Sequence, residues 1–265
     1  MHWNRQYATN ETSPSKPRAK LGLGLLAAAL LSAGTMGCSH PAWDGRVQQW
    51  GQLREVMRDG RTEARVRLAD VTATPHCYAI GALEGLGGEV LILDGAAWIA
   101  QVASPGHVRA QVKPAPTEQA AFLVASWVPE WVEFRLERDI GGDDFDVVVR
   151  DYARRAGLDE GTFPFVIEGD FVAVRVHVVN GRCLMTATPD PDDRSFRNEI
   201  PRASGVLLGF YSDEPPGCIT HHGTSTHVHA LLHADEPLMA HVETVGVQQG
   251  AVIRLPRVRL GARPS

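Results

Sequence analysis

Residues 78–95 read YAIGALEGLGGEVLILDG, and this glycine-punctuated block decides the fold. Glu89 to Leu93, a glutamate followed by apolar residues, is typical of a buried strand. Gly87-Gly88 before it predicts a tight hairpin turn, and Asp94-Gly95 after it is a two-residue hairpin signal. We therefore expect consecutive antiparallel strands here, with Ala97 to Val102 pairing back onto Glu89 to Leu93.

Strand patterns dominate on both sides of this block, and helical patterns are few. The predicted strand regions are Ala120 to Leu136, Phe163 to Val179 with a turn at Gly169-Asp170, Val206 to Tyr211, and Val242 to Leu255 with turns at Gly246 and Gln249-Gly250. The predicted helices are Gln48 to Asp59 and Asp143 to Ala156, the second with Val147, Val148, Tyr152 and Ala156 on one side. This pattern indicates an α+β fold with mixed or antiparallel sheets and few helices.

Histidines are concentrated near the C-terminal end. Six of the eleven lie there: His221, His222, His227, His229, His233 and His241. His227 and His229 alternate along a predicted strand, so they share one face about 6.6 Å apart, and His241 returns beside them after a turn. Three such imidazoles can bind a divalent ion and leave a coordination position open, as catalytic sites do, whereas His233 lies about 13 Å beyond His229 and is expected outside the set. A polar loop or an adventitious metal-binding tract is the alternative.

The first 37 residues have the pattern of an export signal. Basic residues precede the apolar run Leu21 to Ala33, which is too short to span a bilayer comfortably. Cys38, directly after Gly37, resembles the lipidated cysteine of bacterial lipoproteins. We expect removal of residues 1–37, a lipid on Cys38, and a location on the periplasmic side of the cell envelope, with the lipid anchor as the contact with the membrane. Ordinary secretory cleavage or an uncleaved anchor are the alternatives.

Charge and cysteine content argue against two classes of protein. Before Cys38 lie four of the 26 Lys and Arg and one of the 31 Asp and Glu, so 22 basic and 30 acidic residues remain, a net charge of −8. This balance gives no electrostatic footprint for nucleic acid. Cys77, Cys183 and Cys218 allow at most one disulfide without indicating the pair, and the lack of a CxxC motif argues against a thiolate zinc site.

Several segments follow one another in the order expected of one enzyme family. They are Trp50 to Gly60, Gly81 to Gly95, Phe165 to Phe171, Gly205 to Phe210 and the tract of His227, His229 and His241. Over residues 46–260 the chain resembles the α-acetolactate decarboxylases, and the Gly81 to Gly95 block and the histidine tract are the specific parts. The resemblance implies two β-rich halves related by an internal duplication, a homodimer, a Zn²⁺ cofactor, and conversion of the small molecule 2-acetolactate to acetoin and carbon dioxide.

The resemblance also implies roles for individual residues. His227, His229 and His241 would be the zinc ligands, Glu89 a carboxyl group that projects toward the metal, and Glu84 a second catalytic carboxylate. Taken by itself, a glutamate after a Gly-Gly turn is more typical of a solvated turn residue.

Three features depart from the family pattern. Val166 stands where the family has an arginine that can hold the substrate carboxylate. Glu243 is the only acidic residue after His241, whereas the family uses a glutamate near its C-terminus. The interval from His229 to His241 is also one residue longer than usual.

Three hypotheses about function follow. The first is a zinc-dependent decarboxylase acting on 2-acetolactate or a related 2-hydroxy-3-keto acid. The second is an exported lipoprotein that keeps the fold and the metal site to bind a metal or a ligand without turnover. The third is a structural scaffold with an incidental histidine cluster.

Overall fold

The computed structural model describes residues 42–113, 116–181 and 194–258. These residues form two antiparallel sheets with short helices, which confirms the α+β fold with two β-rich halves. The strands are β1 (Val47–Trp50), β2 (Val66–Arg67), β3 (Cys77–Leu83), β4 (Glu89–Leu93), β5 (Ala96–Ser104), β6 (His107–Lys113), β7 (Gln119–Trp127), β8 (Trp131–Arg135), β9 (Phe163–Val178), β10 (Phe196–Tyr211), β11 (Thr226–His233), β12 (Leu238–Val247) and β13 (Val252–Pro256). The α-helices are α1 (Leu53–Met57), α2 (Leu68–Thr72) and α3 (Phe145–Arg155), and 3₁₀ turns span Glu84–Leu86 and Gly142–Asp144.

The first sheet has seven strands in the order β1-β7-β3-β4-β5-β6, with β2 also beside β7. The hairpin predicted at Asp94-Gly95 is confirmed, since both residues have the positive φ, 48° and 83°, that a two-residue type I′ turn requires. The tight turn predicted at Gly87-Gly88 is wrong. The connection from β3 to β4 is a longer loop that contains the 3₁₀ turn Glu84–Leu86, and Leu83 N–H closes it by donating to the Gly88 carbonyl at 2.9 Å.

The second sheet has six strands in the order β10-β11-β12-β9-β13-β8. β10 also pairs with β9 along nearly the whole length of both strands. The strands β9, β10, β11 and β12 therefore close on themselves, as in a small barrel. Every pairing in both sheets is antiparallel, so residues directly opposite each other place their side chains on the same face.

The turn predicted at Gly169-Asp170 is wrong. Both residues stay inside β9 and pair with Gly205 and Ser204 of β10. The glycine serves close packing instead, because a Cβ at Gly169 would lie 2.5 Å from the Cβ of Ala251. Long-range strand pairing therefore overrides a local turn signal here.

The remaining differences concern element boundaries. Gly246 lies inside β12, whereas the turn at Gln249-Gly250 is confirmed between β12 and β13. The segment predicted as one helix from Gln48 begins as β1, since residues 47–50 pair with β7, and becomes helical only at Leu53. In α3 the buried face includes Val148 and Tyr152 as predicted, but Val147 is 60% exposed and lies on the other side.

Some predictions concern cysteines and the membrane. Cys77 and Cys218 are both buried free thiols, so they do not pair with each other. Among the described residues, no helix combines the length and the apolar character needed to cross a membrane. The export segment of residues 1–37, the lipidation site Cys38, and Cys183 lie outside the described residues.

Candidate metal centre

The predicted histidine trio converges in the region where the two sheets meet. His227 and His229 lie two residues apart on β11, and His241 on β12 pairs directly with His229. Ring centroids are 5.2 Å apart for His227 and His229, 4.9 Å for His227 and His241, and 5.4 Å for His229 and His241. All three side chains are buried. The strand spacing thus brings the three imidazoles together, and their role as metal ligands stays a prediction.

A fourth histidine joins this cluster from outside the strands. His221 lies in the loop between β10 and β11, and its candidate ligand atom and those of His227 and His241 all lie within 4.8 Å of one another. His229, the third predicted ligand, is not part of this close group, although its ring centroid lies 5.2 Å from that of His227 and 5.4 Å from that of His241. The sequence counted His221 in the tract but gave it no role, because strand periodicity says nothing about where a loop residue points. The donor set of neutral imidazoles suits a zinc-type divalent ion.

The orientation of the His227 ring is set by two contacts. Its Nδ1 lies 2.8 Å from the carbonyl oxygen of Ile219 and donates a hydrogen bond to it, which leaves the lone pair of Nε2 for an ion. Its ring stacks on Phe122 of β7, with a centroid distance of 5.6 Å and an interplanar angle of 8°. A hydrogen bond to the loop between β10 and β11 and a stacking contact from the first sheet therefore hold this imidazole in one orientation.

Glu89 faces the cluster from the opposite sheet. Its Oε2 lies 3.6 Å from Nε2 of His229, and its Oε1 accepts a hydrogen bond from the Val179 N–H at 3.0 Å. Glu89 is only 3% exposed, so the alternative of a solvated turn residue is wrong. Neither ring nitrogen of His229 has a hydrogen bond of normal length and angle. Buried polar atoms are nearly always paired, so an imidazole in this state fits a site for a cation.

Burial sets the protonation states of these groups. Desolvation raises the pKa of Glu89 to about 8, and the hydrogen bond from Val179 offsets only part of this effect. Desolvation together with the neighbouring histidines lowers the pKa of His229 to about 3, and lowers the pKa values of His227 and His241 well below the usual value. In the metal-free protein near neutral pH the imidazoles are therefore neutral, which is the form that binds metals, and Glu89 holds a proton.

A second group of polar side chains lies against the cluster. His177 on β9 pairs with His241, and their ring centroids are 4.5 Å apart. Its Nδ1 lies 3.0 Å from Oε1 of Glu243, and Arg197 of β10 donates to the same oxygen. The single acidic residue after His241 is thus tied to the site through His177.

The remaining sequence-predicted positions lie elsewhere or carry no charge. Val166 is 4% exposed and pairs with Leu208 of β10, and Leu208 pairs in turn with His229 of β11. The cross-strand row that contains His229 therefore has an apolar residue at position 166. Glu84 is exposed, and its carboxylate accepts a hydrogen bond from the Ala64 N–H at 3.4 Å, so the structure does not bring it into the histidine cluster. His233 is exposed at the end of β11, as expected.

We expect the stability of the metal-free protein to be greatest near pH 6.5. For His229 the pKa is about 3 in the folded state and 6.5 ordinarily, so the unfolded state binds more protons between these values and acid destabilises the fold. Each such buried histidine contributes a slope of up to about 1.4 kcal/mol per pH unit. Glu89 has the opposite sign, because its pKa rises from 4.5 to about 8 and stability falls as pH rises through that window.

Urea unfolding of chelator-treated protein between about pH 5 and about pH 8 measures this profile. Below the ordinary histidine pKa several histidines oppose one glutamate, so the free energy of unfolding should decrease toward acid. The Glu89→Gln variant should lose the decline on the alkaline side and keep the decline on the acid side. A metal-free protein whose stability increases toward acid would contradict the burial argument.

The fold and the cluster together define a class: a two-sheet α+β protein with buried histidines that can hold a divalent metal ion. The chain belongs to the alpha-acetolactate decarboxylase family, whose sequence model matches residues 55–256. No curated protein matches the sequence.

Solved structures agree on the fold. The alpha-acetolactate decarboxylase from Bacillus subtilis strain 168 is similar with a TM-score of 0.61 and 14% identity, over 82% of this chain and 88% of that one. A Staphylococcus aureus protein of unknown function, described as similar to alpha-acetolactate decarboxylase, gives a TM-score of 0.58 and 17% identity, over 79% of this chain and 84% of that one. At these identities the likeness supports the fold, and the activity has to be argued from the site.

Proposed function

We propose that the protein is a zinc-dependent carboxy-lyase that removes carbon dioxide from 2-acetolactate or a related 2-hydroxy-3-keto acid. The observation that carries this proposal is the buried carboxyl group of Glu89 facing a cluster of neutral imidazoles across the boundary of the two sheets. A structural scaffold has no use for a protonated carboxyl group in its interior beside a histidine whose ring nitrogens lack a hydrogen bond of normal length and angle, because both cost stability. Perturbed pKa values of this kind are typical of functional sites.

The metal would be held by His227, His229 and His241. When bound, the ion supplies Lewis-acid stabilisation of the negative charge that develops on a substrate oxygen as carbon dioxide leaves. The histidines are suited to this task because they are neutral, and the Ile219 carbonyl fixes the orientation of His227.

Glu89 supplies the proton. As the carbon–carbon bond to the carboxylate breaks, its electron pair moves into the adjacent carbonyl system, and a proton must then be added to the carbon that lost carbon dioxide. The raised pKa of Glu89, about 8, keeps a proton on this carboxyl group near neutral pH. The Val179 N–H holds Oε1, so Oε2 is the oxygen directed toward the cluster.

Val166 carries no charge, so another residue has to supply the cation that holds the substrate carboxylate. In the row of paired residues through the cluster, Arg197 lies opposite His177, which lies opposite His241. Arg197 is 67% exposed and already contacts Glu243, so its hold on an anion would be weakened by solvent and by that carboxylate. This arrangement supports slower turnover than a buried arginine would give.

The second candidate function is binding without turnover. Val166 favours it, because a buried apolar residue replaces the arginine that would hold the substrate carboxylate. Under either function, export, a lipid on Cys38 and a homodimer remain proposals. Mass spectrometry of membrane-extracted protein tests the lipid, and sedimentation tests the dimer.

Metal analysis and an acetoin assay separate the two candidates. We expect the purified protein to bind one divalent ion per chain and to form acetoin from racemic 2-acetolactate above the uncatalysed rate. Removal of the ion should abolish the excess rate, and zinc should restore it. A metal-loaded, folded protein that forms no acetoin would contradict the enzyme function and support binding without turnover. A protein that retains no metal would overturn both candidate functions.

A further inference from the structure

We infer that His221 is a further ligand of the metal ion, acting together with His227, His229 and His241. The inference rests on the metal binding proposed above and deepens it, because the family resemblance supplies three histidines and gives His221 no role. It also bears on how the site meets its substrate, because with four imidazoles a substrate oxygen reaches the ion only if the ion expands to five ligands or if His221 is displaced.

The nitrogen atoms need only a small shift to share one ion. The candidate ligand atoms of His221, His227 and His241 lie within 4.8 Å of one another. Around a tetrahedral zinc with bonds of about 2.0–2.1 Å, two ligand nitrogens lie about 3.4 Å apart, so the widest separation has to close by roughly 1.4 Å. Two imidazoles can share this movement through small changes in their side-chain torsions.

The His221 ring lies edge-on to the rings of His227 and His241. Its plane is inclined by 61° to His227 and by 78° to His241, with centroid distances of 5.5 Å and 5.1 Å. Imidazoles bound to one ion aim their nitrogens at a common point, and inclined ring planes allow this. Edge-on packing of aromatic rings gives similar angles, so the assignment of His221 as a ligand rests on the distances between the nitrogens.

The loop that carries His221 is anchored to the same cluster. The carbonyl of Ile219, two residues earlier, accepts the hydrogen bond from Nδ1 of His227. Ile219 and Thr220 are each 2% exposed, and the Thr220 carbonyl accepts a hydrogen bond from the Gly217 N–H at 2.8 Å. The contact that leaves Nε2 of His227 available therefore also fixes the chain leading into His221.

Cobalt binding tests the inference, with the adjacent histidine as the matched control. His222 is the next residue, and its side chain is exposed. We expect His221→Ala to weaken Co²⁺ affinity at least about 10-fold in chelator competition, since even loss of an outer partner of a ligand costs 10- to 100-fold. His221→Ala should also change the visible absorption of the Co²⁺ protein, because the number of nitrogen ligands changes. His222→Ala should alter neither property.

His221→Asn serves as a second variant that retains a polar side chain in the loop, and circular dichroism of the metal-free proteins checks the fold. If both His221 variants fold and keep wild-type affinity and absorption, His221 is not a ligand, and the proposed function stands on the other three histidines. If the wild-type protein binds no cobalt at all, the inference and the proposed function fail together.

Discussion

Replacing His227 with phenylalanine should remove tight metal binding while leaving the protein folded. The phenyl ring keeps the volume of a side chain that is 3% exposed and preserves the stack on Phe122. It loses Nε2, the nitrogen that the hydrogen bond to Ile219 leaves available. We expect zinc affinity to fall by at least about 100-fold, because removing a ligand costs no less than removing one of its outer partners.

Zinc stoichiometry after dialysis against a weak chelator measures this loss. His233→Ala is the control, since His233 lies on the same strand but is exposed at its end. This variant should retain wild-type metal content. Retention of one tightly bound zinc by a folded His227→Phe protein would show that the ion binds elsewhere.

The parts of the fold that could be predicted are those set by neighbouring residues. The turn at Asp94-Gly95 follows from the two dihedral angles that it requires, so its sequence signal was sufficient. Gly169-Asp170 carries a similar signal but lies in the middle of β9, because the partner strand β10 is close on one side and Ala251 is close on the other. No local pattern reports such contacts, which join residues far apart in the chain.

The same division applies to the site. His227, His229 and His241 could be grouped from strand alternation and a returning strand, and the register places His241 directly opposite His229. His221 could not be added, because a loop residue has no periodicity that fixes its direction. The pairing of His177 with His241 depends on β9 lying beside β12, which only the closed arrangement of strands establishes.

The family resemblance predicted the position of Glu89 correctly, whereas its local sequence alone predicted an exposed residue. A glutamate after two glycines is ordinarily exposed, yet this one is buried beside His229. The burial arises because β4 belongs to one sheet and the histidines belong to the other, so the two meet only when the sheets pack. Glu84, five residues earlier in the same block, shares the sequence context but stays exposed. The position of each carboxylate relative to the packed sheets therefore distinguishes Glu89 from Glu84, which the sequence pattern alone could not do.

Replacing Glu89 with glutamine should abolish most decarboxylation while leaving the metal bound. The amide oxygen of glutamine can still accept the hydrogen bond from the Val179 N–H, so the side chain keeps its position. It no longer has a titrating proton to deliver to the substrate carbon. A positioned general acid contributes about 10²- to 10⁴-fold to rate, so we expect kcat for acetoin formation to fall by that factor.

The Glu84→Gln variant is the matched control for this experiment, because its carboxylate is exposed and contacts the Ala64 N–H. It should keep wild-type kcat and metal content. A Glu89→Gln protein that loses its zinc would make Glu89 a metal ligand instead of a proton donor. A Glu89→Gln protein that keeps both zinc and kcat would assign the proton to another group. Burial raises the pKa of Glu89 to about 8, so its carboxyl group holds a proton at neutral pH. Loss of turnover with retained metal is the outcome that agrees with this group as the proton donor.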